Sequence, residues 1–222
     1  MYNAGDMRFF GYLNSQGSSL GTCLKSIWAA TFVAVSLLGA RATSVVPPTF
    51  AEMVARADLV FVGTVVGSHS EWRTVGSDRV IFTMTDFKTE EVLKGTASKV
   101  VTLQFLGGTV GDVTLSVSGT PRFESGERVV LFVEKNGTQV CPLVGVFHGK
   151  FTVKSDGKTG REIVVMHNGH PLKDVAEIGQ GEGVELAQKR AMVLIATNSE
   201  PITLEAFKSE VRASLAKVPP AK

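Results

Sequence analysis

Three features of this sequence predict a mainly β domain, folded as a small closed or nearly closed barrel of six or seven strands with a short helix before it and a longer one after it. Short apolar segments rich in β-branched residues recur between Leu59 and Met166, and turn signals containing Gly, Asn or Asp separate them at short spacing. In addition, one long segment changes the phase of its apolar alternation midway, as a strand does when it bends at a bulge.

The elements follow in order. Thr43 to Pro48 reads as extended chain, and Thr49-Phe50-Ala51-Glu52 has the spacing of a capping box, in which the threonine oxygen accepts from a free amide and the glutamate reaches back. Phe50, Met53 and Val54 would form the buried stripe of a short helix ending near Ala57. Leu59 to Val66 is almost continuously apolar, which suits a strand covered on both faces. From Val80 to Leu93 the apolar positions are even (Val80, Phe82, Met84) and then odd (Phe87), which predicts a long strand with a bulge near Thr85 and Asp86. Lys94-Gly95-Thr96 closes it.

Val100 to Leu106 is the next strand, Gly107, Gly108 and Gly111 supply a turn, and Val113 to Val117 alternates cleanly. Val129 to Val133 is apolar on both faces and is the expected central strand. Asn136-Gly137 signals a hairpin turn into a strand through Leu143-Val144-Gly145-Val146-Phe147, which resumes at Phe151 to Val153. Asp156-Gly157 turns the chain into a last strand, Ile163 to Met166. Beyond Pro171, Gly179-Gln180-Gly181-Glu182-Gly183 reads as a flexible polar stretch, and Glu185 to Ile195 as a helix or mixed segment. Thr203 then caps a helix to about Ala216, whose stripe of Leu204, Phe207, Val211 and Leu215 is expected to pack on the barrel. The predicted organisation is residues 1–42 as a signal peptide, 43–172 as the β-barrel domain, and 173–222 as a flexible segment with the C-terminal helix.

The signal expectation rests on order. Lys25 precedes the apolar run Ile27 to Ala40, and the small-x-small pattern Ala40-Arg41-Ala42 follows it, with cleavage expected near Ala42. The alternative is an uncleaved anchor, but the run is shorter than the roughly 20 apolar residues a span needs, and Pro47-Pro48 ends any continuation. Met7 is an alternative start. A secreted or periplasmic location follows, with no stable membrane span after cleavage.

Of 23 basic and 21 acidic residues, Arg8, Lys25, Arg41 and Asp6 lie in the leader, so the remainder carries 20 of each. A neutral domain gives no electrostatic case for nucleic acid, which is excluded as an expected partner. Cys23 would leave with the leader, and Cys141, flanked by Val140 and Pro142, is expected to be a buried small apolar side chain rather than a nucleophile.

The candidate metal ligands are His167 and His170, three apart on a turn, and His148 beside Phe147. A zinc site needs a third protein ligand, and neither HExxH nor CxxC accompanies them. His69, beside Glu71 and Trp72, reads as a structural or surface residue. Gly157-Lys158-Thr159 mimics the end of a phosphate loop, but Thr152 stands where its first glycine is required. Gly107-Gly108-Thr109-Val110-Gly111 has no helix after it to hold an anion, so no cofactor is expected. There is no G-x-S-x-G elbow, and Glu90 and Glu91 would point to opposite faces of a strand, so no catalytic residue is assigned.

Several blocks carry a resemblance: Ala57-Asp58-Leu59-Val60-Phe61-Val62-Gly63-Thr64-Val65, Glu91-Val92-Leu93-Lys94-Gly95, Leu106-Gly107-Gly108-Thr109-Val110-Gly111, Phe123-x-x-Gly126-Glu127-Arg128-Val129-Val130-Leu131-Phe132 and Val144-Gly145-x-x-x-Gly149-Lys150-Phe151. Together, over about residues 49 to 166, they resemble an uncharacterised family of exported bacterial domains that stand alone or ahead of a matrixin-type metalloprotease. The first, second and fourth blocks are also similar to bacterial relatives of the tissue inhibitors of metalloproteinases, which implies an OB-like barrel. Those inhibitors chelate the protease zinc through an N-terminal cysteine, whereas the expected first residue here is Thr43. The resulting expectation is a non-enzymatic exported binding domain whose partner is an exported protease, an extracellular metalloprotease above all. The alternatives are a metal-dependent hydrolase-like enzyme using His148 or the His167/His170 pair, and an envelope structural protein associated with another envelope protein.

Overall fold

A computed structural model describes residues 47–180 and 200–217. The expected signal peptide and the segment from Glu185 to Ile195 lie outside the described residues.

Helix α1 (Phe50–Arg56) starts where the capping box predicts. The Thr49 hydroxyl accepts from the Glu52 amide at 3.3 Å, and the Glu52 carboxylate accepts from the Thr49 amide at 2.8 Å. Eight strands follow: β1 (Leu59–Val75), β2 (Asp78–Lys94), β3 (Val100–Leu106), β4 (Gly108–Val110), β5 (Val113–Leu115), β6 (Arg128–Val133), β7 (Lys150–Ser155) and β8 (Glu162–Met166). Helix α2 (Leu204–Lys217) comes last, with the Thr203 hydroxyl accepting from the Ala206 amide at 3.2 Å.

Six strands form one antiparallel sheet in the order β3-β2-β1-β6-β7-β8, while β4 and β5 form a separate ribbon. The fold is mainly β with a helix at either end, as predicted, but the sheet does not close: no ladder joins β3 to β8 among the described residues. Each end strand instead meets irregular chain. On β3, the Leu106 amide donates to Val140 O at 2.8 Å and the Asn136 side chain donates to Thr102 O at 2.9 Å. On β8, Leu172 N donates to Val164 O and Met166 N to His170 O, both at 2.9 Å, and Val164 N donates to Ile202 O at 3.2 Å.

Alternation along the strands sends apolar side chains to both faces. On one face Val60, Val62, Val130, Phe132, Phe151 and Val164 pack under α1 and α2, with Phe207 of α2 at the centre of a ring cluster. Leu204, Phe207 and Val211 are buried there, and Leu215 packs against the same cluster, so the predicted stripe is a sheet-facing one. On the other face Phe61, Val65, Phe87, Leu103, Phe105, Val129, Leu131 and Val133 form a second core, joined by Cys141 and Leu143 and by the part-buried Phe123. Both β6 and the first half of β1 are thus covered on two sides, as their continuous apolar runs imply.

Three expectations change. First, the bulge lies across the pair: β2 continues through Thr85 and Asp86 in unbroken register with β3, and the extra residue is Val66 of β1, between Val65↔Phe87 and Gly67↔Asp86. Thr85 is buried, its hydroxyl 2.9 Å from that of Ser68, so a polar residue holds an inward position and only imitates a slip in phase. Second, Leu143 to Phe147 is not a strand. Only a bridge from Leu143 to Val133 forms; Gly145 and Val146 then take left-handed φ of 64° and 63° and turn the chain. Left-handed φ is costly for a β-branched residue, and packing on both sides of the turn holds it. Third, the alternating segment from Val113 to Val117 forms a strand only to Leu115.

Candidate functional site

Only Leu59 to Thr64 of β1 pairs with β6. Beyond the Val66 bulge, β1 keeps β2 from Gly67↔Asp86 to Val75↔Asp78, about 30 Å at ~3.3 Å per residue; β3 accompanies β2 as far as Phe82↔Leu106, so the end of this arm, from Trp72↔Ile81 outward, is two-stranded among the described residues. On one face of the arm Ser68 and Ser70 meet Thr85 and Thr83, hydroxyl to hydroxyl, at 2.9 and 3.0 Å. The Thr83 hydroxyl also donates to Gly107 O at 2.7 Å. The β4-β5 ribbon lies against this face at Gly108, which has φ of 134° and no room for a side chain against Ser70 and Thr83.

Farther out on the same face, Trp72 stands opposite Ile81, is 38% exposed, and has the Arg79 guanidinium 5.1 Å from its ring centroid. On the opposite face Arg73 donates to Glu71 at 2.7 Å and to the Gln104 side chain at 3.2 Å, and Val75 at the tip is 55% exposed. The arm therefore offers an aromatic ring, a paired acid and base, and an exposed aliphatic side chain on a hydrogen-bonded strand pair. The sequence reading stops the strand at Val66 and gives His69, beside Glu71 and Trp72, as a structural or surface residue without an element to carry it.

The three histidine candidates are placed differently from their sequence order. His148, in the turn after Val146, meets His167, at the end of β8, with ring centroids 4.9 Å apart. Phe147 packs on both, at 4.3 and 4.5 Å. His170 makes no ring contact with either; its amide bonds the Asn168 side chain at 3.0 Å. Desolvation pushes the pKa of both His148 and His167 below the usual imidazole value, and at His148 the facing His167 adds to the effect. Among the described residues no group of three or more His, Cys, Asp or Glu is arranged to hold a metal ion.

Other reactive groups are committed to structure. Cys141 is buried, and burial pushes its thiol up to about 11, against the low value a nucleophile requires. Lys150 and Glu127 form a 2.9 Å ion pair beside the inner core. That lysine also donates to Arg122 O at 2.6 Å and lies over the Phe123 ring, while Thr152 donates to Glu127. Glu90 bonds Thr64 and Arg128, and Glu91 bonds Lys208 and Arg212 of α2.

Comparison of the chain with models of known families, with curated proteins and with solved structures gives no match.

Proposed function

We propose that this chain is a non-enzymatic, exported binding domain, delivered to the periplasm or medium after cleavage near Ala42, which contacts and restrains an exported metalloprotease. The observation that carries the binding role is the arm. Eleven residues of β1 run past the last pairing with β6 and carry Trp72 and Val75 exposed. Large exposed apolar groups on a rigid strand pair are what a protein interface uses as anchors. The protease as partner rests on the resemblance of residues 49 to 166. The OB-like character proposed with it is supported by the three register shifts along the β1-β2 pair, where bulges bend strands, and by the bonds from β3 to the chain after β6, Leu106 to Val140 and Asn136 to Thr102, which link the β3 edge to the chain that follows β6.

Without an N-terminal cysteine, the arm rather than a chelating terminus would make the contact. The test is affinity capture of tagged chain from the cell that exports it, followed by protease assay. The expected result is a metalloprotease retained and slowed by the wild-type chain, with Trp72→Ala and Val75→Asp lowering retention at least tenfold. Capture unchanged by both substitutions refutes the arm as the site, and an exported protease pool that is neither bound nor slowed refutes the function.

A further inference from the structure

We infer that the outer edge of the arm pairs with the same edge of a second copy of this chain, joining two sheets antiparallel about a two-fold axis at Trp72. This goes beyond the protease reading and does not depend on it.

The direction of the backbone groups follows from bonds already made. Ile81 O accepts from Gly107 N on the β3 side, so Ile81 points away from β1, and so by alternation do Arg79, Thr83 and Thr85. The residues of β1 opposite them are Thr74, Trp72, Ser70 and Ser68, which therefore direct their N–H and C=O groups outward, away from β2. Among the described residues nothing bonds these outward groups; the last β1 backbone groups with partners on that side are at Val65 and Val66, which meet Gly126, Glu127 and Ser125. The other two long edges, on β3 and β8, are both met by chain. Gly67 to Val75 contains neither proline nor lysine, its bulge is at the root, and its two charged residues, Glu71 and Arg73, are of opposite sign.

Charge selects the occupant and the register. Two copies paired so that Trp72 faces its counterpart place Glu71 of each directly opposite Arg73 of the other, twice by symmetry, with Ser70 opposite Thr74 and His69 opposite Val75. Sliding by one step either way is unfavourable. Centring the axis on Glu71 opposes two glutamates and sets Arg73 against His69, and centring it on Arg73 opposes two arginines. The edge is thus complementary to itself in one register, and that register makes an outward-directed residue the central hydrogen-bonded pair. Glu71 and Arg73 already bond each other within a chain and are both about half exposed, at 41% and 45% of the side chain, so exchanging partners needs no refolding.

The experiment is sedimentation equilibrium on chain expressed from Met1 and purified in the processed form the cell yields. Wild type is expected to be a concentration-dependent dimer. Glu71→Arg and Arg73→Glu should each raise the dissociation constant at least tenfold, with circular dichroism unchanged. Mixing the two single variants should restore dimer as a heterodimer, because the new arginine of one chain would then face the new glutamate of the other, and the double swap should restore a homodimer. A wild-type chain that stays monomeric at the highest concentration reached overturns the inference, as does a dimer indifferent to Glu71→Arg or a mixture that stays monomeric. A monomer that captures a different protein through this edge also overturns it and gives the edge to an extended segment of that partner.

Discussion

Replacing Phe207 by alanine should remove most of the energy that holds α2 on the sheet. The ring is fully buried and touches three others, with centroids at 5.7 Å from Phe50, 6.2 Å from Phe132 and 5.1 Å from Phe151. A ring that buries on the order of 150 Å² contributes roughly 4 kcal/mol at about 25 cal/mol per Å², and Phe→Ala changes in cores cost ~3–5 kcal/mol. Because Phe50 is on α1 and Phe132 and Phe151 are on β6 and β7, the cavity would open at the meeting point of four elements, where no single one can collapse to fill it. Urea unfolding followed by circular dichroism should show the midpoint falling by an amount equivalent to about 3–5 kcal/mol, with Phe207→Leu costing under half of that. A loss below about 1 kcal/mol for the alanine variant would refute the docking of α2 as a core element.

Gly149→Ala should cost about 1–3 kcal/mol, read as a lowered melting temperature, because the added carbon would lie 2.9 Å from both Phe132 O and Val144 O, and neither backbone atom can move aside. The Cys141 thiol should resist iodoacetamide at pH 8 until the chain is denatured. Its pKa is raised on folding from 9.0 to about 11, so the folded state favours the protonated form. Stability should therefore be intact below about pH 9 and fall between 9 and 11, an effect that Cys141→Ala abolishes in pH-dependent unfolding. The histidine pair predicts the reverse: both pKa values are lowered on folding, so stability should be intact above pH 6.5 and decline as pH falls below it. Melting scans of His148→Gln/His167→Gln should show a flatter acid limb than wild type, and an unchanged limb would remove the pair as its cause.

The parts of the fold that were legible in the sequence are those in which burial leaves a periodic mark. The capping residues Thr49 and Glu52 fix α1, the two-sided apolar runs fix β6 and the first half of β1, and the stripe on α2 faces the sheet. Where the pattern fails, a particular side chain is responsible. Thr85 is polar yet buried, because Ser68 satisfies its hydroxyl, and so it displaced the expected bulge onto the wrong strand. Leu143 to Phe147 is an apolar, valine-rich run of the kind a strand uses, but the left-handed pair Gly145-Val146 breaks the ladder, and only Gly145 hints at this. The arm was illegible because its residues are mostly polar: Gly67 to Val75 has no apolar period to read, although its partner strand does. The contact between His148 and His167 spans 18 intervening residues and two elements, and local spacing favoured the wrong pair, His167 with His170.

Val66 connects these observations. A bulge adds a residue to one strand, bends it and increases its twist. Here it falls where β6 ends its pairing with β1, at Thr64↔Arg128, and where Val65 bonds Gly126 and Glu127 instead. Up to that point β1 is buried on both faces and bonded on both edges; past it the strand keeps β2 and, among the described residues, has no strand on its other edge. Val66 itself is 56% exposed, so no core contact explains an aliphatic side chain there, whereas the geometry does: the extra residue turns the strand away from β6. Deleting Val66 would remove this irregularity while leaving Gly67↔Asp86 and Trp72↔Ile81 free to keep their pairing, so the strand should lose its local bend there and keep Trp72 on its present face. The same single residue thus marks where the pairing with β6 ends and where the strand turns outward with β2.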